Sequence, residues 1–294
     1  MSPAQPPGAT LALFTDLIDD AAVFPPGSAP LNRALADHQC LRESAAAPHI
    51  GPLLVPVSAT PELLTLVGDP AEPLTIGIIG LPGAAGSLIG AADRVTARTG
   101  LRVSGVEIAA SPTTDIGSVI AEFAPLLERN LPVAIEVRRN GSDELAALAE
   151  HRDLIDAGLL RGKYRTGGVA PGSVPSASEL AAVIDSAVRL RLPIKLTAGL
   201  HHAVRTDQQH GVLNVLAAAH AALTGSGAEG WLGEADPATL VGELASWSEQ
   251  QIAAVRTIFT SFGCCGVLEP LTESAQLGLI PPLAYDLTAP TTPQ

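Results

Sequence analysis

LLRGKYRTGG, residues 159–168, and RLPIKLTAGL, residues 191–200, are built alike. Each is a short apolar-flanked run carrying one lysine, Lys163 or Lys195, and each ends in glycine-rich turn chemistry. Runs of this length bounded by Gly and Pro read as β-strands, and the Ala/Leu-rich stretch between them, 176–190, reads as a helix. One strand, one helix and one strand at this spacing form a βαβ unit with parallel strands.

The same rhythm extends in both directions. Strands are predicted at 13–18, 50–57, 74–81, 102–109, 132–138, 159–165 and 192–198, with the eighth placed at 229–233. Helices are predicted near 31–45, 60–67, 86–99, 115–129, 142–151, 176–190, 211–223 and 237–245, and further ones near 248–260 and 270–277. Eight such units predict a (β/α)8 TIM-type barrel, one α/β domain over 11–285 with extra C-terminal helices. The Pro/Gly-rich ends, 1–10 and 286–294, read as flexible tails. An open doubly wound sheet would need a GxGxxG turn after its first strand, which the chain lacks. GLPGAAGS at 80–87 has no Walker lysine and reads as an ordinary strand-to-helix loop.

Composition narrows the function. With 47% hydrophobic residues but only 3% aromatic, the core must be built from Ala, Leu, Val and Ile. A net charge of −13 argues against nucleic-acid and anionic-membrane partners, which need clustered Lys and Arg. MSPAQPPGAT lacks the basic and apolar regions of a signal peptide, and the three cysteines have no framework spacing, so a reducing, cytoplasmic setting is expected. The adjacent Cys264 and Cys265 read as small residues in a turn after SFG. Redox and metal roles are the alternatives, weakened by the lack of a second pair. The last ordered stretch, SFGCCGVLEPLTESAQLGLI, is a candidate for closing the barrel bottom or for a homo-oligomer contact.

Strand alternation says which side chains share the barrel interior. If Val106, Ile108, Val133, Ile135, Val137, Tyr164, Ile194 and Leu196 face the helices, then Glu107, Ala109, Glu136, Arg138, Lys163, Arg165, Lys195 and Thr197 face inward. Two carboxylates against four cations would form a cluster demanding close pairing. Two lysines in one enclosure would also repel, lowering at least one pKa and leaving a neutral amine able to attack a carbonyl carbon.

These strands resemble those of class I aldolases of the deoxyribose-phosphate aldolase type. The matching text is Lys163-Tyr-Arg-Thr166-Gly167 followed by Lys195-Leu-Thr-Ala-Gly199-Leu200, with looser matches at VEI (Glu107) and AIEV (Glu136). The similarity covers about residues 100 to 200. It implies a lyase in which Lys163 forms a Schiff base, Lys195 tunes it, and Glu107 or Glu136 moves protons, with no cofactor required. Two departures are visible. Ala109 stands where the family has a proton-relaying aspartate, and no Gly-Thr-Ser-Ser phosphate turn follows GWLGEAD. The expected partner is therefore a small carboxylated carbonyl compound, bound by Arg165 or Arg138 with Thr197, His201 and His202 nearby.

A second reading places a divalent metal on His202, His210 and Asp20, with His201 as an alternative ligand, for hydrolysis, decarboxylation or isomerisation. Asp16, Asp19 and Asp20 otherwise read as capping or solvated residues of the first loop, DLIDDAAVFPPG. His38, His49, His151 and His220 read as structural. A third reading is a non-catalytic small-molecule-binding barrel.

Overall fold

In the computed structural model, which describes residues 8–68, 72–111, 115–139 and 141–283, eight parallel strands close into one barrel in chain order. They are β1 (Ile18–Asp20), β2 (Ile50–Pro56), β3 (Leu74–Gly80), β4 (Leu101–Ile108), β5 (Val133–Glu136), β6 (Leu160–Arg165), β7 (Ile194–Thr197) and β8 (Phe259–Cys264). This is the (β/α)8 architecture that the alternation of elements predicts. No helix among the described residues is long and apolar enough to cross a membrane.

Most helices pack by burying one stripe, while Val212–Thr224, covered by later helices, is buried nearly all round. In Ala177–Leu190, Leu180, Ala181, Ile184 and Ala187 are buried, the spacing of a single helical face. Ser176 starts that helix by accepting from the backbone of Glu179, whose side chain accepts from Ser176 N in return, so two otherwise orphaned donors are satisfied. Its end is set by Arg191 in the left-handed region, φ 49°.

Three boundaries differ from expectation. The run at 13–18 is split: the helix Gly8–Phe14 occupies most of it, and β1 starts at Ile18. That helix also takes in residues 8–10 of the expected tail, while residues 1–7 and the 286–294 tail lie outside the described residues. The eighth strand is not 229–233, which forms the short helix Glu229–Gly233. Five residues, two of them Gly, carry no period that separates helix from strand. The run is held as helix because buried Asn214 donates from Nδ2 to the carbonyls of Trp231 (2.8 Å) and Glu234 (2.7 Å).

The true β8 opens the stretch expected to be a terminal extension. FTSFGC reads as a turn because of its Ser, Gly and Cys, yet small inward residues are what the crowded barrel requires there. Four helices therefore lie between β7 and β8, and the single helix Leu268–Gln276 follows. The Cys pair is accordingly not wholly in a turn after SFG: Cys264 ends β8.

Candidate active site

Register brings the ionisable residues together. Glu136 lies beside Lys163 across β5 and β6, Lys163 beside Lys195 across β6 and β7, and Lys195 beside Ser261 across β7 and β8. β7 carries a register shift against β8 just before Lys195, a local irregularity of the kind that re-aims a side chain. On β1, Ile18 and Asp20 turn towards the helices, which leaves Asp19 pointing inward.

The result is a chain of alternating charge across the barrel. Lys195 Nζ donates to both Asp19 Oδ2 and Glu107 Oε1. Ser261 Oγ also donates to Asp19 Oδ2, at 3.1 Å. The second oxygen of Glu107, Oε2, lies 2.9 Å from Lys163 Nζ, and Glu136 Oε2 lies 3.3 Å from the same nitrogen. Glu136 Oε1 meets Arg165 Nε at 3.4 Å, at the half-exposed end of the chain. Three cations thus face three carboxylates, not four facing two.

Two corrections explain that count. From sequence Asp19 reads as a loop residue, but a three-residue strand places it in the barrel. Its only sequence signal is the alternation Ile18–Asp19–Asp20, which appears once β1 is shifted to its true start. Arg138, expected inside, lies beyond the end of β5 and pairs with Glu144 on the helix Ser142–Ala149, with its own side chain 51% exposed.

The balance reverses the expected lysine chemistry. Burial pulls the Lys163 pKa down, but the charges of Glu107 and Glu136 outweigh it and hold the ammonium above its ordinary range. Burial opposes ionisation of Glu107 as well, yet the two lysines hold its carboxyl far below the usual carboxylate range. Glu107 separates the lysines electrostatically, so their mutual repulsion does not produce a neutral amine in the resting protein.

A cavity of about 390 Å³ opens onto one end of this chain. Lys163, Glu136, Arg165, Thr197 and Ala109 line it, together with His201 and Cys265. Lys195, buried like Lys163, is not among its lining residues and lies beneath. The roof is Phe24, Pro25 and Pro26 from the loop after β1 and Gly168 and Val169 from the loop after β6. That second loop is tied down by Arg139, which donates to the carbonyl of Val174 (3.0 Å) and pairs with Glu179 (2.8 Å). A second cavity of about 400 Å³, lined by Gly172, Ser173, Gln208 and Gln209, continues outward past the shared residues Gly168, Gly199 and His201.

The turn after β7 is strained. Ala198 and Leu200 both take left-handed φ values, 58° and 61°, which cost a residue with a Cβ roughly 1–2 kcal/mol each. Glycine is required at two neighbouring points. A Cβ on Gly167 would strike the carbonyl of Ala198, and one on Gly199 would come within 2.8 Å of Thr166 Oγ1. The TGG and AGL turns interlock at the rim, and strain held in place by such packing collects at functional sites.

The histidines separate. His201 lines the cavity, whereas His202 is turned to Glu273, with Nδ1 2.8 Å from Oε1. His210 is buried with Nε2 2.8 Å from the carbonyl of Pro175, and burial lowers its pKa. Asp20 points behind the barrel wall, where Oδ2 lies 2.9 Å from His38 Nδ1. His202, His210 and Asp20 each have a different partner and do not form the expected ligand set. Among the described residues, no group of three His, Cys, Asp or Glu side chains is arranged to hold a metal ion. The physical reason lies in alternation: His201 and His202 diverge, and Asp20 follows Asp19 onto the opposite face of β1.

No protein-family model matches the chain, and no curated protein matches it either.

Proposed function

We propose that the protein is an aldolase-like lyase in which Lys163 attacks the carbonyl carbon of a small 2-oxo acid or a related carboxylated aldehyde or ketone. The observation that carries this reading is the position of Lys163. It is the lysine that lines the cavity, beside Glu136, Arg165 and Thr197. The cavity's volume suits a small ligand.

Because Lys163 rests as an ammonium, the reaction must begin with a proton transfer. Arg165 is half-exposed and bound to Glu136 only by one long contact of 3.4 Å, so a substrate carboxylate can draw its guanidinium away. Glu136 then loses its outer cation and becomes the acceptor for the Lys163 proton, 3.3 Å away. The freed amine adds to the carbonyl carbon, and the carbonyl oxygen leaves as water after taking one proton from the new C–N nitrogen and the one held by Glu136. The protonated imine that results draws the electron pair of the adjacent C–C bond as it breaks, giving an enamine, while the departing carbon leaves as a carbonyl after its hydroxyl gives its proton to Glu136. Glu107 stays ionised between the lysines and offsets part of that positive charge. Lys195 acts as a positioning residue, fixing Glu107 from below.

This sequence differs from the one implied by the two-lysine resemblance. There Lys195 would keep Lys163 neutral; here the substrate's own carboxylate triggers deprotonation. The test is exchange of the hydrogens next to the carbonyl of a 2-oxo acid with deuterated solvent, followed by NMR. Wild-type protein is expected to catalyse the exchange and Lys163→Met to abolish it. Exchange that survives Lys163→Met would end the proposal.

A non-catalytic binding barrel is the competing reading, favoured by the carboxylates that lie close to both lysines at rest. It predicts carboxylate binding that depends on Arg165, with no solvent exchange by the wild type.

A further inference from the structure

Where Gly263 faces the barrel, Cys264 turns into the wall and Cys265 turns back towards the cavity. Cys264 is 1% exposed, and burial pushes its thiol pKa up. Cys265 lines the cavity that holds Lys163, packed so closely against the first loop that a Cβ on Gly27 would come within 2.9 Å of its own Cβ. The two sulfurs are free thiols.

His201 stands between Cys265 and a carboxylate. Its Nε2 lies 3.7 Å from Cys265 Sγ, and its Nδ1 lies 2.8 Å from Glu269 Oε2. Cys264 Sγ also approaches Nδ1, at 3.6 Å. Nδ1 is held by Glu269 and Nε2 faces Cys265, so the ring can take up the Cys265 proton and keep it. A nucleophile, a base and a group that orients the base are the components of an activated nucleophile. None of the three takes part in the lysine chemistry proposed above.

We infer that Cys265 is a nucleophilic thiol, deprotonated by His201 under the orientation of Glu269, that adds reversibly to aldehydes entering the shared cavity. The Cys265 proton passes to His201 Nε2 and the sulfur lone pair forms an S–C bond. The carbonyl π pair moves to oxygen, which takes the proton back from the imidazolium. The product is a hemithioacetal, and no oxidant or reductant is needed. The sulfurs of Cys264 and Cys265, helped by the Glu269 carboxylate, push the imidazole up to about 11 against desolvation, so the proton taken from Cys265 already rests on the ring before the aldehyde arrives. The cavity thereby presents two nucleophiles of different character, a hard amine on β6 and a soft sulfur after β8. An aldehyde can be captured at Cys265 before, or instead of, reaching Lys163.

The test is alkylation of the intact protein by iodoacetamide, with each cysteine followed by peptide mass spectrometry. Cys265 is expected to react faster than Cys40, Cys264 and free cysteine at neutral pH, and a simple aldehyde such as propanal is expected to protect it. His201→Ala is expected to slow its alkylation by on the order of 100-fold, the usual contribution of a positioned base. Added imidazole should restore part of the rate, a rescue that a purely structural role for His201 would not give. Glu269→Gln should slow the reaction less than His201→Ala. Alkylation of Cys265 no faster than that of free cysteine would overturn the inference. So would an unchanged rate in a folded His201→Ala protein, or a slowed rate that imidazole does not rescue. Because the readout is a sulfur adduct, it fails or succeeds separately from the solvent-exchange test of Lys163.

Discussion

Lys195 and Lys163 sit side by side on neighbouring strands, yet their surroundings differ in kind. Lys195 lies on the floor, donating to Asp19 and Glu107, with Ser261 completing the shell of Asp19. Lys163 lies in the wall above. Its ionic neighbours Glu107 Oε2 and Glu136 Oε2 are close, but neither receives an aligned hydrogen bond. The same residue type at the same register thus becomes a structural cation in one place and a reactive candidate in the other. What decides it is the third carboxylate: Asp19 reaches Lys195, while Lys163 faces the cavity.

The largest expected difference between the two is in stability. Lys195→Ala leaves Asp19 buried without its cation and is expected to cost ~3–5 kcal/mol, the range for breaking a buried pair from one side. Lys163→Met should cost less, ~1–3 kcal/mol, because Glu107 keeps Lys195 and Glu136 keeps Arg165. Urea unfolding of both variants checks the order. If Lys163→Met proves the more damaging, the floor and wall have been assigned the wrong way round.

A smaller effect separates the partners by pH. The Glu107 carboxyl is depressed in the folded protein, so its contribution is present above its unfolded value of ~4.3 and is lost as pH falls below it. The Lys163 ammonium is raised, so its contribution is present below its unfolded value of ~10.4 and is lost as pH climbs beyond it. A stability plateau between these limits is expected from unfolding midpoints measured across pH. Glu107→Gln should flatten the acid limb and lower the plateau. An acid limb unchanged in that variant would show that Glu107 does not carry the coupling between the lysines.

The smallest effect is expected at Arg138. Arg138 is itself half-exposed, and Glu144 keeps its bond from the Arg138 backbone N–H, so Arg138→Ala should change stability by only ~1 kcal/mol and leave carboxylate binding intact. Arg165→Ala should weaken that binding instead. Loss of binding in Arg138→Ala, read by calorimetric titration with a 2-oxo acid, would return Arg138 to the site.

The sequence made this arrangement legible wherever a strand was long enough to show its period. Lys163, Tyr164 and Arg165 alternate across β6 as the text around them requires, and Glu107 and Glu136 follow from the same rule. It failed at the two ends of the barrel, where strands are short or made of small residues. β1 has three residues, so Asp19 passed for a loop acid. β8 places Ser261 and Gly263 inward, which resembles turn chemistry, and so Cys265 was read without its neighbours. The charge state of Lys163 was also beyond reach. It depends on Glu107 lying between the lysines and on Asp19 joining below, and both are facts of closure, not of any one segment.

On the proposed function, the wall lysine and not the floor lysine meets the substrate. The direct measurement is reduction with borohydride in the presence of a small 2-oxo acid, with the modified residue located by peptide mass spectrometry. A reduced adduct on Lys163 that requires Arg165 is the predicted result. An adduct on Lys195, or none on either lysine at a 2-oxo acid concentration that saturates binding, would contradict it.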